Sequence, residues 1–130
     1  MTPLRPLLLG AVLLAACSPV SGAGAGAQDA RAALDDYNVR AAIILQCHPS
    51  QNDADRAYLA KGDALHQAAL KELQAELDRA DPANRAGNAK KADDTLKQQR
   101  SARDFDISEQ ARNYGCDWLD GRLAVLPRNN

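Results

Sequence analysis

The stretch "LAKGDALHQAALKELQAELDRADP", residues 59–82, decides the fold class. Leu59, Gly62, His66, Leu70, Leu73 and Leu77 recur at three-four spacing with Tyr58, Leu65 and Ala69 beside them, the pattern of an amphipathic helix with one buried face. The spacing predicts a helix from Ala54 to Ala80, ended by Asp81-Pro82 and Gly87. His66 falls on the apolar stripe and reads as a packed core histidine.

Upstream, Ala30, Leu34, Tyr37, Ala41 and Ile44 form a similar stripe, flanked by Ile43 and Cys47, which predicts a first helix over 28–46. Asp36 and Arg40 lie four apart on the side predicted to be wet. The segment "CHPSQND", residues 47–53, interrupts this helix: Pro49 disfavours helix at His48, and Ser50 with Asp53 offers a capping-box-like start to the next. Downstream, Ala89, Ala92 and Leu96 begin a third helix that runs toward Ile107, Ala111 and Tyr114, with Asp93 and Lys97 as an exposed pair. Its middle, "KQQRSARDFD", residues 97–106, is polar enough to face water or a partner. Trp118, Leu119, Leu123 and Leu126 give a short apolar tail before Pro127.

The expected architecture is all-α: a small up-down-up three-helix bundle with a short C-terminal helical segment. Short connections make successive helices antiparallel, so the end of the third returns to the end of the first. Cys47 closes the first helix and Cys116 closes the third, which brings the two sulfurs to one end of the bundle. With five aromatic residues in 130, the core rests on Ala and Leu, and a small core benefits from a covalent staple. Closing a loop of this length is worth roughly 4 kcal/mol as an upper figure.

The N-terminus bears on compartment. Arg5 is followed by an apolar run from Leu7 to Leu14, a signal-peptide layout too short to be a permanent membrane span. Leu14-Ala15-Ala16-Cys17 resembles the lipobox of bacterial lipoproteins. That resemblance implies cleavage before Cys17 and acylation of its sulfur, hence anchoring to a membrane by lipid. A cut by ordinary signal peptidase at the same place would put bulky Leu14 where a small residue is preferred. Ordinary secretion, with cleavage after Ala23 or Ala27, is the alternative. The expected organisation is a signal peptide over 1–16, a flexible tether over 17–27 and a helical domain over 28–130. Ser18 after the cysteine resembles the outer-membrane sorting choice of enteric bacteria, so the expected location is the outer membrane, facing the periplasm; the alternative is a soluble periplasmic or secreted protein. Export to an oxidising compartment in turn favours pairing Cys47 with Cys116, the two thiols left once Cys17 is committed or removed.

Charge and motif content exclude several functions. With Arg5 removed, fifteen basic residues face seventeen acidic ones, and no basic stripe argues for nucleic acid. His48 and His66 have no companions at metal-ligand spacing, no Cys-x-x-Cys-His supports covalent haem, and neighbouring Cys47 and His48 do not face each other as a nucleophile pair would. No cofactor, metal or catalytic residue is expected, and the chain reads as a non-enzyme that binds another envelope protein. Arg100, Arg103 and Trp118 are the candidate contact residues, since tryptophan is favoured at interfaces.

The run Leu59-Ala60-Lys61-Gly62-Asp63-Ala64-Leu65, continuing through Ala69, Leu70 and Leu73, resembles the Leu-x-x-x-Asp-x-Leu helix of LprI-like envelope proteins, which are associated with lysozyme inhibition. Leu96 and Gln99, on a helix leading toward Cys116, are similar to that family's later helix. The likeness covers about half the chain. The tryptophan usual in the later helix and the extra cysteine usual before the first are absent, so no inhibitory residues carry over. The resemblance implies an alternative role as an inhibitor or immunity factor against a lytic enzyme.

Overall fold

The computed structural model describes residues 20–126, with side chains described from residue 30 onward. These residues form five helices and no strand: α1 Val20–Cys47, α2 Asp53–Leu59, α3 Gly62–Ala80, α4 Arg85–Tyr114 and α5 Cys116–Val125. Cys17 and Pro127 lie outside the described residues. Helix α1 begins inside the segment expected to be a tether, so residues 20–27 are helical. The three alanines there favour helix and the three glycines oppose it, so the extension rests on continuing an existing helix, which avoids the cost of nucleating one.

The expected helix from Ala54 to Ala80 is divided in two. Asn52, two residues beyond Ser50, is the N-cap of α2, and its side chain and that of Asp55 form a reciprocal capping box. Helix α2 ends at Leu59, whose carbonyl accepts a hydrogen bond of 2.8 Å from the Tyr37 hydroxyl. Helix α3 starts three residues later at Gly62. A side chain at Gly62 would run into the Tyr37 ring, with Cζ 2.8 Å from the Cβ position. The break therefore follows from a tyrosine on α1, which the local periodicity of residues 54–80 does not reveal. Gly87, expected to act as a breaker, lies in the first turn of α4, and Asp81–Asn84 alone separate α3 from α4.

Two apolar clusters make the core. In the first, Leu34, Tyr37 and Ala41 of α1 meet Ala69 and Leu73 of α3 and Ala92 and Leu96 of α4. In the second, Val39, Ala42 and Ile43 of α1 meet Ile107 of α4 and Leu119 of α5. Helices α1 and α4 thus run through both layers, while α3 completes one and α5 the other. Small alanines let the helices of the first layer approach closely. Both layers hold large side chains sealed from solvent, Leu96 in the first and Ile43, Ile107 and Leu119 in the second.

Candidate functional site

At the second layer the chain turns sharply between α4 and α5. Gly115 has φ +84°, in the left-handed region where a Cβ is disfavoured, and its N–H still closes α4 by donating to Ala111 O at 2.9 Å. This turn brings Cys116 to Cys47, and the two form a disulfide with Cα atoms 5.5 Å apart. It also lays Trp118 beside Tyr114, their ring centroids 4.7 Å apart and their planes tilted by 35°. Both rings stay open to solvent, Tyr114 at 62% and Trp118 at 46%.

The backing of this aromatic pair is fixed by charge-assisted bonds. Arg40 donates to Leu123 O at 3.2 Å and Leu126 O at 2.8 Å, carbonyls at the negative end of α5. Its guanidinium also lies 5.5 Å from the centroid of the Tyr58 ring. Arg40, expected on a wet face, is therefore turned inward. Arg122 bonds Gln110 and adds a tie between α5 and α4. His48 bridges the remaining gap: Nδ1 lies 3.1 Å from Asp55 Oδ2 and Nε2 lies 2.7 Å from Asp120 Oδ1. Both ring nitrogens facing carboxylates favours the imidazolium, which can donate twice. The hydrogen bond that the ring donates to Asp120 raises the His48 pKa, burial opposes it, and Asp55 adds to the rise.

The other expected contact residues are separated from this end. Arg103 is engaged within the fold: Nε donates to Asp35 Oδ1 at 2.8 Å and an Nη to Oδ2 at 2.7 Å, a two-pronged bond that ties α4 to α1. Asp35 holds the Arg103 pKa above its usual value, against burial. Arg100 is exposed at the rim of a cleft between α3 and α4. At 1.5 Å per residue it stands about 21 Å along α4 from Tyr114. The structure thus divides the single contact surface read from the sequence into an aromatic end, a clamp and a cleft rim.

His66 lies on the inward side of α3 but is not sealed in the core; its Nε2 is 3.5 Å from Asp93, which also pairs with Lys97 at 2.6 Å. Among the described residues no group of three or more His, Cys, Asp or Glu side chains is arranged to hold a metal ion, and no helix is long and apolar enough to cross a membrane. Sequence reasoning missed the roles of Arg40, His48 and Asn38, whose partners or surroundings come from distant parts of the chain. No protein-family model matches the sequence, and neither a curated protein nor a solved structure matches it.

Proposed function

We propose that this is an exported envelope protein, acylated at Cys17 and held at the outer membrane facing the periplasm, that works as a non-catalytic binding module for another envelope protein. The observation that carries this reading is the exposed Tyr114–Trp118 pair on a base fixed by the Cys47–Cys116 disulfide. Paired aromatic rings bury much area on contact, and rings already held in place lose little freedom on binding. Arg100 would supply a second contact along α4.

The proposed arrangement is up-down-up for α1, α3 and α4, with α5 as the terminal segment. It is supported by Arg31 with Glu76 and Tyr37 with Gly62, which run α3 against α1, and by Asp35 with Arg103 and Gln46 with Ser108, which run α4 along it. The aromatic end then sits at the opposite end of α1 from the anchored N-terminus, facing away from the membrane.

Capture of envelope proteins on the tagged protein tests the function. Trp118→Ala and Tyr114→Ala are expected to lose a partner that the unmodified protein retains, with helical content unchanged. Retention of the same partner by both variants would contradict the reading. Intact mass tests the anchor separately: acyl mass on a chain beginning at Cys17 is expected, and an unacylated start at Gly24 or Gln28 would contradict it.

A further inference from the structure

A cleft of about 340 Å³ lies between the α2–α3 corner and α4, within the size range of small-molecule sites. Leu59 and Ala60, which keep surface open to it, give it an apolar wall, with buried Leu34 and Leu96 behind. Beside them Asn38 interrupts the apolar face of α1. It is only 5% exposed, and its side-chain amide makes no hydrogen bond with the described residues. Every side-chain nitrogen or oxygen sealed from solvent among the described residues has a partner, so the Asn38 amide reaches the cleft it lines. Open to the cleft and bonded to no neighbour, the amide is left to hydrogen-bond whatever the cleft holds.

Two opposite charges flank that amide. Asp63 stands on α3 and Arg100 on α4, both lining the cleft and both exposed. Neither makes a hydrogen bond or ion pair with the described residues, whereas Lys97 on the same wall is held by Asp93. Both charges are felt at the Tyr37 hydroxyl: burial raises the Tyr37 pKa, Arg100 lowers it and Asp63 raises it. That hydroxyl gives its proton to Leu59 O, which leaves its oxygen free to accept.

We propose that the cleft binds a free amino acid with an apolar side chain. The carboxylate meets Arg100 and the Asn38 N–H donors, the ammonium meets Asp63 and the Tyr37 oxygen, and the side chain lies against Leu59 and Ala60. A simple anion would leave Asp63 facing like charge, and a simple cation would do the same to Arg100. The zwitterion satisfies both.

The test is a nuclear magnetic resonance titration of the purified protein with L-leucine, with isoamylamine, which lacks the carboxylate, and with 4-methylpentanoate, which lacks the amine. L-leucine is expected to give saturable shifts at the Asn38 side-chain amide, and each singly charged analogue to bind roughly tenfold more weakly. Arg100→Gln should weaken L-leucine while sparing isoamylamine, and Asp63→Asn should weaken L-leucine while sparing 4-methylpentanoate; both positions are exposed, so the fold persists. No saturable shift with L-leucine, equal affinity for all three probes, or shifts that bypass Asn38 would overturn the proposal. Partner capture through Trp118 is read independently of this outcome.

Discussion

The two layers of the core are secured by different means. Where α3 packs on α1 and α4, nineteen residues of amphipathic helix contribute Ala69 and Leu73 to a shared apolar cluster, and its cross-helix ion pairs, such as Arg31 with Glu76 at 3.7 Å, are peripheral. Where α5 packs on α1 and α4, ten residues contribute one fully buried leucine, Leu119. With one side chain sealed from solvent and Leu123 and Leu126 partly buried, this helix gains less from apolar burial than α3 does. It is fixed instead by the disulfide, by Arg40 at its terminal carbonyls and by His48 at Asp120. Helix α3 thus relies chiefly on burial, and α5 on specific bonds.

The largest expected effect separates these modes. Replacing Cys47 and Cys116 by Ala should lower stability by up to about 4 kcal/mol, and the melting temperature by about 10 °C or more. Thermal melts read by circular dichroism check this, and an unchanged melting point would remove the staple from the comparison. Next comes the apolar layer: Leu96 is 1% exposed, so Leu96→Ala should cost about 3 kcal/mol in a denaturant titration. A cost under about 1 kcal/mol would mean that this layer is loosely packed.

A smaller contrast lies within α4. Arg103→Ala breaks the two-pronged bond to Asp35, whose partners are 40% and 37% exposed, and should cost about 1 kcal/mol after allowance for solvent screening. Arg100→Gln should cost nothing measurable, since Arg100 holds no partner among the described residues. Equal effects at the two positions would deny that Arg103 is a clamp.

The smallest effect concerns pH. The folded-state His48 pKa is raised, above all by Asp120, so the folded protein holds this proton more tightly than the unfolded chain. The associated stability is fully present below the ordinary histidine value of about 6.5 and is lost as pH rises through the raised folded value. His48→Gln should flatten that part of the stability profile. A profile unchanged by the substitution would show that the bridge to Asp55 and Asp120 contributes nothing.

Legibility in the sequence divides along similar lines. The leucine stripe of α3 and the apolar positions of α1 report burial directly, because helical periodicity is a local property. The joining of Cys47 to Cys116 follows from two helix ends and one available pairing. The break between α2 and α3 was not legible, since it depends on Tyr37, twenty-two residues before Leu59. The same holds for His48, whose partner Asp120 is seventy-two residues away, and for Arg103 with Asp35, sixty-eight apart. Asn38 gave no signal at all: an asparagine between Tyr37 and Val39 reads as a wet position until the cleft is seen.

Amide hydrogen exchange on the oxidised and reduced protein tests most directly whether the two layers are held differently. Reduction of the Cys47–Cys116 bond is expected to strip protection from α5, around Leu119, while α1 near Leu34, α3 and the first half of α4 keep theirs. Loss of protection spread evenly over all the helices, or full protection of α5 without the disulfide, would contradict the account.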